Sequence, residues 1–494
     1  MLSETDVVKL LFAFKVKYLR LEQGLGLEEL AEASGLSKSY IHDLEKGKKY
    51  PKPDKIHVLA RALQVDYDYL VSRRADKKIQ PVIDLLTSDV LREFPLEDFG
   101  VSTTKLMELL VNTPERVTAF ISTITHIIRH FQVEREHLYF TALRSFQNLK
   151  NNYFEEVEEQ VRQFREWAGL PSVMPEGVDW MEELLAVRYG VTVNRNILGQ
   201  MALPASGTRS YMADATRVLY IRPGLSVAQE RFLMGRELAF RFMELTPRPY
   251  ETRILEVLNF EVLYNNFLAS YFASALLMEE AALVKDIQNW ADQLTWHPAD
   301  MVDWLDKYGV TPEMLMQRLS NLLPHHLGLS DLFFIRLQAT GELQHYRMTK
   351  ELHLDRPQNP YANALNEHYC RRWVSVNIIK QARQATTDDV LIQAQMSTYK
   401  DSGDTYLCIS MAVPGTQNTH LSSVTLGLLV NEALRSRFRF LNDPALPSRV
   451  VNTTCERCSI ADCEARVRPA TVLEQRSSSQ LTMDKLRQLD KNKP

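Results

Sequence analysis

Three cysteines near the end of the chain have the residue type and spacing of a soft metal site. Cys455, Cys458 and Cys463 follow the pattern C-x2-C-x4-C. Thiolates this close together bind zinc or an iron–sulfur cluster. Three thiolates are one ligand short of a closed site, and Cys370, Cys408, a histidine or an exogenous group could supply the fourth. We predict an iron–sulfur cluster here, with zinc and unmetallated thiols as alternatives.

A second group of residues, near the start of the chain, has side chains suited to DNA. These predicted contact residues are Ser37, Lys38, Ser39, Tyr40, His42, Asp43, Lys46, Lys48 and Lys49. Polar side chains early in a short helix can reach base edges in the major groove, while lysines beside it bind phosphates. Lys52 and Lys55 extend the basic run. The alternative is that this run is a solvated face of a module that binds protein.

The elements that would position these residues are short helices around a glycine turn. Residues 27–33 form one helix, Gly35 ends it, and Ser37 caps the next, whose Ile41 and Leu44 face inward. We expect Glu45 to tie this next helix to Arg20 or to a neighbouring helix end. Residues 6–72 resemble the Cro/C1 repressor-like family through the string Leu27-x2-Leu30-Ala31-x3-Gly35-Leu36-x4-Ile41-x2-Leu44-Glu45-x-Gly47-x3-Pro51. The resemblance implies a five-helix, helix-turn-helix DNA-binding domain.

The middle of the chain contains one segment where a catalytic metal motif would be expected. Strands predicted at 190–193, 210–212 and 218–221 precede a helix at 229–240. This order resembles the ImmA/IrrE metallopeptidase-like domain, whose helix carries His-Glu-x-x-His for zinc. Here the corresponding residues are Arg236-Glu237-Leu238-Ala239-Phe240, and Asn266 stands where the third ligand would be a carboxylate. Because none of these can replace the missing ligands, we predict a non-catalytic scaffold and no enzyme activity.

The region from Asp331 onward changes from helical to alternating hydrophobicity. Segments 333–338 and 343–348 predict a hairpin, and 390–399, 405–412 and 423–430 predict further strands. Leu365, Tyr369 and Trp373, spaced four apart, predict a helix between the hairpins. An antiparallel sheet with helices on one face resembles GAF- and PAS-like sensor domains.

Bulk properties limit the function classes. The net charge of −4 excludes a basic coat, so contact with nucleic acid must be local. Five cysteines, none before Cys370, fit a reducing compartment. The start of the chain lacks a signal-peptide pattern, and the longest apolar stretch, 267–278, is too short for a membrane span. We therefore expect a cytoplasmic protein without membrane contact.

The predicted fold class is multidomain and mainly α. It comprises the helix-turn-helix domain, an α+β zincin-like middle domain and an α+β GAF/PAS-like C-terminal domain. The predicted divisions are 1–72 for DNA binding, 73–150 for a helical linker, 151–323 for the ImmA/IrrE-like domain, 324–474 for the sensor domain and 475–494 for a disordered tail. Long helices in 105–167 could pair two subunits, or could simply pack on the rest of the chain.

The order of these parts resembles one bacterial family over nearly the whole chain, the XRE-type short-chain fatty acyl-CoA transcriptional regulators. The tail Thr454-Cys455-x2-Cys458-x4-Cys463-x2-Arg466 and the element Cys370-x2-Trp373 carry the C-terminal part of this resemblance. It implies a homodimer on a double-stranded DNA operator, an acyl-CoA-type effector from acetate or propionate metabolism, and an iron–sulfur cluster at the cysteines. The rival functions are a metallopeptidase-like regulator of a partner protein and an antitoxin-like module that regulates its own operon.

Overall fold

The chain divides into two compact units, Met1–Phe146 with Glu256–Tyr264, and Gln147–Leu255 with Asn265–Pro494. The computed structural model describes residues 4–72, 135–171, 174–201, 208–252, 257, 259–340, 345–353, 367–414 and 421–491. Residues 73–134, which are most of the predicted linker, therefore lie outside the described residues. The prediction that this region pairs two subunits falls on those residues as well.

The first 72 residues, here called the head, fold into the five helices that the sequence predicts. Their bounds are α1 Glu4–Glu22, α2 Leu27–Ser34, α3 Lys38–Glu45, α4 Pro53–Ala62 and α5 Tyr67–Val71. The apolar faces of all five helices meet in one core, which includes Phe12, Leu30 and Leu59. Burial of these faces stabilises helices that are too short to persist alone.

The rest of the chain begins with helices and a small mixed sheet. The helices are α6 Arg135–Leu149, α7 Glu155–Trp167, α8 Asp179–Tyr189, α9 Ile197–Gln200 and α10 Val227–Phe242. The strands are β1 Thr192–Asn194, β2 Ser210–Ala213 and β3 Val218–Ile221. In the sheet, β3 lies between β1, to which it is parallel, and β2, to which it is antiparallel. This order of strands and helix confirms the prediction for the middle of the chain.

Residues 250–252 extend the small sheet at its β2 edge. Tyr211 and Glu251 form an isolated antiparallel bridge. The N–H of Met212 donates to the carbonyl of Tyr250, and the N–H of Thr252 donates to the carbonyl of Ser210, both at 2.8 Å. We call residues 250–252 the edge segment, because they pair with the β2 edge of the sheet.

A helical block follows the edge segment. Its helices are α11 Phe260–Leu277, α12 Glu280–Ala291, α13 Pro298–Tyr308 and α14 Pro312–Leu327. Within the described residues no helix is by itself long and apolar enough to span a membrane. Only α11 and α12 taken together, bent by 69° at their junction, reach that length and hydropathy.

The C-terminal region is a six-stranded sheet with a helix on one face. The strands are β4 Leu332–Thr340, β5 His345–His353, β6 Leu391–Tyr399, β7 Thr405–Ala412, β8 Ser422–Leu429 and β9 Ser448–Val451. Their order is β5-β4-β8-β7-β6-β9, and only β9 runs parallel to its neighbour. Helix α15, Val374–Gln384, buries Val376 and Ile379 in the core against the sheet. The predicted strands and the helix-on-sheet arrangement are present, and the assignment to GAF or PAS domains stays a prediction.

Two predictions for this region are wrong. The helix expected through Tyr369 and Trp373 begins only at Val374, because Tyr369 forms a bridge with Thr454 and Trp373 lies at the helix cap. Leu365 lies outside the described residues. The tail expected to be disordered forms helix α17, Thr471–Lys491. The N–H groups of Val472 and Leu473 donate to the carbonyl of Glu456, which anchors the first turn of α17.

Between β8 and β9, α16 spans Glu432–Arg437 and a 3₁₀ turn spans Arg439–Asn442.

Candidate functional site

The turn between α2 and α3 has the geometry that a helix-turn-helix requires. Gly35 ends α2 with φ of 69°, in the left-handed region where a side chain would be strained. Ser37 then caps α3, its hydroxyl accepting from the N–H of Tyr40 at 3.2 Å. At the start of α2, the carboxylate of Glu29 accepts from the N–H of Gly26 at 2.6 Å. Gly35 and Ser37 thus fix the two helix ends that meet the turn, and the bond between Glu29 and Gly26 fixes the opposite end of α2.

Helix α3 separates an inner face from an outer one. Ile41 and Leu44 are fully buried in the head core with Leu30 of α2. Of the predicted contact residues, the exposed ones are Ser37, Lys38, Ser39, His42, Lys48 and Lys49. The half-buried ones are Tyr40, Asp43 and Lys46. The structure thus leaves the whole predicted set accessible at the surface of the head.

A buried ion pair fixes α3 to α1. The guanidinium of Arg20 donates from Nε and Nη2 to the carboxylate of Glu45 at 2.6 and 2.9 Å. Both residues are 7% exposed. Arg20 also donates to the carbonyl of Leu25 at 2.8 Å, just before α2. The predicted structural role of Glu45 is confirmed.

Three predicted DNA contacts, Lys38, Asp43 and Lys49, are ion-paired at the surface. The ammonium of Lys38 lies 2.5 Å from the carboxylate of Glu28, and that of Lys49 lies 2.9 Å from the carboxylate of Asp43. The hydrogen bond from Lys38 lowers the pKa of Glu28, and the one from Lys49 lowers the pKa of Asp43. Exposed pairs of this kind contribute little to stability, so a phosphate can displace the carboxylate from either lysine.

Tyr40 has a partner that the sequence did not indicate. The ammonium of Lys55, on α4, lies over the Tyr40 ring at 4.1 Å from its centroid. Such a cation–π contact restrains the ring. Tyr40 and Lys55 are fifteen positions apart on different helices, so helical spacing could not reveal the pair.

In the second unit, the residues at the metal-motif positions form one polar cluster, here called the arginine site. It contains Arg236, Glu237 and Phe240 of α10, Arg248 and Asn266. Arg236 donates from Nη1 to the hydroxyl of Thr252 at 2.8 Å and from Nη2 to the side-chain oxygen of Asn266. The sequence placed Arg236 and Asn266 at former ligand positions, but it did not predict that they would bind each other.

Glu237, the residue that would activate water in a metallopeptidase, is held by two other arginines. Its carboxylate accepts from Nε of Arg241 at 2.8 Å and from both terminal nitrogens of Arg248, one at 3.0 Å. The guanidinium of Arg248 also lies 3.9 Å from the centroid of the Phe240 ring. Both oxygens of Glu237 thus accept hydrogen bonds from guanidinium groups.

The structure places Cys455 and Cys458 near Cys370 without forming a closed ligand set among the described residues. Cys455 and Cys458 are buried, and Cys463 is partly exposed. The N–H of Cys370 donates to the carbonyl of Thr453, and burial together with the nearby Cys455 and Cys458 raises the pKa of the Cys370 thiol. Burial also raises the pKa of Cys408 to about 12. Within the described residues, no three histidine, cysteine, aspartate or glutamate side chains converge as metal ligands.

Two arginines near the cysteines bind other groups. Arg466 donates to the backbone carbonyls of Cys455 at 2.9 Å and Cys458 at 3.1 Å, which closes the loop between them. Arg457 makes a bidentate pair with Glu367. These hydrogen bonds go to backbone carbonyls and to a carboxylate rather than to a thiol.

Comparison with known proteins agrees with two of these regions. A helix-turn-helix family model matches residues 16–70, and an IrrE N-terminal-like domain model matches residues 186–320. The chain is 24% identical over 367 residues to the HTH-type transcriptional regulator PrpR of Mycobacterium tuberculosis, a match covering 69% of this chain and 70% of the relative. A solved Mycobacterium tuberculosis transcriptional regulator aligns with a TM-score of 0.46 and 18% identity, over 67% of this chain and 94% of that one. By the two family models this chain combines a helix-turn-helix domain with an IrrE-like domain, and these models together with the curated relative support a DNA-binding transcriptional regulator.

Proposed function

We propose that this chain is a sequence-specific DNA-binding transcriptional regulator whose α3 reads bases in the major groove. The observation that carries the proposal is the division of α3 into two faces. Ile41 and Leu44 are locked in the head core, while Ser39 and His42 are exposed. Lysines beside this face supply the phosphate contacts that hold a recognition helix in register.

A homodimer on a palindromic operator is the form in which such a head gains enough affinity and specificity. Its half-sites would lie about 34 Å apart, one turn of DNA. We assign the assembly of subunits and the sensing of an effector to the long second unit. The similarity to another HTH-type transcriptional regulator over 69% of the chain supports a regulator that includes this unit, rather than a head alone.

We further propose that an acyl-CoA-type metabolite of short-chain acid metabolism controls the binding of DNA. The support is the sequence resemblance, together with a C-terminal sheet that carries a helix on one face. Such an effector acts as a switch only if it binds one arrangement of the heads better than the other. Its test is operator affinity measured with and without acetyl-CoA or propionyl-CoA, with free CoA as the control.

The cysteine loop, residues 455–463, does not fit a closed metal site in the arrangement described. Of its thiols, Cys455 and Cys458 lie close enough to Cys370 to help raise the pKa of that buried thiol. The predicted iron–sulfur cluster therefore stays a prediction, with zinc as its alternative. Anaerobically purified protein with visible absorbance, iron and sulfide would support the cluster. Colourless protein with stoichiometric zinc would support the alternative.

We propose that the IrrE-like domain is a non-catalytic scaffold. The support is the occupation of Glu237 by Arg241 and Arg248, and the presence of a cation, Arg236, where a ligand would have to stand. Guanidinium groups have no lone pair to offer a metal. Zinc bound stoichiometrically by the full chain through this domain, together with cleavage of a partner protein, would overturn this proposal.

The DNA proposal is tested by separating base contacts from phosphate contacts. Genome-wide mapping of the bound chromosome sites supplies the operator. The double variant Tyr40→Ala, His42→Ala should lose more affinity for the operator than for unrelated DNA. The double variant Lys48→Ala, Lys49→Ala should weaken both and reduce the salt slope by about 2, one for each phosphate contact. Equal losses for both DNAs in the first variant would contradict base reading by α3.

A further inference from the structure

We propose that the guanidinium of Arg236 has taken over the structural work of the metal ion that the IrrE-like fold is built to hold. In that role, Arg236 is a permanent internal cation that cross-links α10, α11 and the edge segment. The inference rests on the non-catalytic assignment of this domain and is independent of DNA binding.

The contacts of Arg236 join the same parts of the fold that a zinc ion would join. A zinc site of the His-Glu-x-x-His type connects its helix to a carboxylate on the following helix. Here Arg236 extends from α10 to Asn266 on α11, and its other terminal nitrogen donates to Thr252 of the edge segment at 2.8 Å. Thr252 in turn pairs with β2 through the carbonyl of Ser210. One side chain thus ties two helices to the small sheet.

Helices α10 and α11 approach each other closely beside Arg236. An ideal Cβ built on Gly235 would lie 3.2 Å from Cβ of Ala273, so α10 and α11 are in close contact one residue away from Arg236. Asn265, beside Asn266, donates to the carbonyl of Pro247 at 2.8 Å and holds the segment that leads to Thr252. The acceptors of the guanidinium are therefore fixed before it binds them.

The charges in the arginine site fit a cation at position 236 and no metal beside it. Burial, with a smaller effect of Arg248, lowers the pKa of Arg236 to about 10, which still leaves it protonated at neutral pH. Its two acceptors, Thr252 and Asn266, are neutral. A carboxylate at position 266 would suit zinc, whereas an amide oxygen accepts from a guanidinium without adding a second charge.

The remaining two motif positions have been adapted to the same end. Phe240, at the second ligand position, offers its ring to Arg248 at 3.9 Å. Arg248 can lie there because Glu237 accepts from it. The carboxylate that would have served catalysis thus neutralises a second buried arginine. Arg236 and Asn266 bind each other, Glu237 binds Arg248, and the Phe240 ring packs against the Arg248 guanidinium.

The first test removes the cation and keeps the packing of the side-chain stem. The full chain has six tryptophans, all between residues 167 and 373, so their fluorescence reports the second unit and not the head. The Arg236→Met variant should lower the melting temperature of the tryptophan-monitored transition by about 5 °C or more. An unchanged melting temperature would overturn the proposal. If this variant does not fold, Asn266→Ala and Thr252→Val each remove one acceptor, and each should lower the melting temperature by a smaller amount.

The second test restores the ligands. The triple variant Arg236→His, Phe240→His, Asn266→Glu places two histidines four residues apart on α10 and a carboxylate on α11. It should bind zinc, and its melting temperature should rise with zinc and fall with a chelator. Phe240→His alone, which retains Arg236, is the matched control and should bind no zinc. A triple variant that folds but neither binds zinc nor changes its melting temperature with zinc would overturn the proposal. Operator affinity of the same variants tests DNA binding separately.

Discussion

Helix α3 of the head and helix α10 of the IrrE-like domain differ in where their chemically active residues point. In α3, Lys38 and Asp43 face outward and form pairs at the surface, such as Lys38 with Glu28, whereas Glu45 at the end of the helix is buried. In α10, Arg236 and Glu237 face inward and are at most 5% exposed. A charged side chain at the surface can exchange its partner for a ligand. A buried one keeps the partner that it has in the fold.

The head has the geometry of a helix-turn-helix and keeps the predicted contact residues accessible. The IrrE-like domain has the predicted order of strands and helix, and the residues at its motif positions form ion pairs and hydrogen bonds inside the fold. Charges in the two regions should therefore respond to mutation in opposite ways: large stability effects inside, and small stability effects with changed DNA binding outside.

The largest effect is expected inside. Glu237→Ala leaves Arg241 and Arg248 without their shared carboxylate, and loss of a buried partner costs about 3–5 kcal/mol. Tryptophan-monitored unfolding of the full chain should report this loss. Asp214→Ala is the matched control, because Asp214 pairs with the same Arg241 at 2.7 Å but is 55% exposed. Its cost should stay below about 1 kcal/mol. A similar loss of unfolding free energy in the two variants would show that buried and exposed carboxylates do not differ in their contribution to stability.

The head contains one interior pair, and it should behave like the arginine site. Glu45→Ala leaves Arg20, which is 7% exposed, without its carboxylate partner. The free energy of unfolding of the head should fall by about 3 kcal/mol. Amide exchange at Ile41 and Leu44 should then accelerate by about two orders of magnitude. The tryptophan signal should not change, since the head has no tryptophan. Glu32→Ala, an exposed change on α2, serves as the control, and equal acceleration in that variant would contradict the structural role of Glu45.

The head was predictable from sequence because its signals are local. Gly35, Ser37, Ile41 and Leu44 are separated by a few residues, and each acts through its own turn, cap or helix face. The pairing of Glu45 with Arg20 was also anticipated, since a charged residue on an inward helix position needs a buried partner.

The rest could not be read in the same way, because it depends on contacts between distant residues. The helix expected through Tyr369 fails because the backbone there pairs with Thr454, eighty-five positions later. The sequence showed that Arg236 cannot bind zinc, but its partner Thr252 lies in a segment without a motif. The cation over Tyr40 comes from Lys55 on another helix. In each case the missing information is tertiary.

Glu313 provides an intermediate case, with a pH dependence that can be measured. It starts α14 and contacts Lys350 of β5 at 2.5 Å and Arg336 of β4 at 3.7 Å. Burial raises the pKa of Glu313, but the two cations outweigh burial and lower it to about 2. A carboxyl whose pKa is depressed on folding contributes its full stability above about 4.5 and loses it as the pH falls toward 2.

Glu313→Gln should therefore destabilise the second unit by about 2 kcal/mol at pH 6, a figure reduced for the exposure of Lys350. The difference from the unmodified chain should narrow as the pH falls below about 4.5. Tryptophan-monitored urea unfolding between pH 6 and pH 3 measures it. Glu183→Gln, an exposed change on α8, should leave the two curves superimposed at every pH. A constant difference for Glu313→Gln across this range would show that its carboxylate is not stabilised by these cations.

The smallest effect on stability is expected at the outer face of the head. Glu28 and Lys38 are 79% and 58% exposed, so Glu28→Gln should leave the unfolding of the head unchanged. It should nevertheless tighten binding to DNA by about two- to threefold, because Lys38 no longer has a competing carboxylate and can bind phosphate. Glu32→Gln removes the same charge from α2 at another exposed position, and a smaller gain there would assign the effect to the pair. If Glu28→Gln instead weakens binding, Glu28 serves to orient Lys38 toward the DNA, and the outer face is then more preorganised than its exposure indicates.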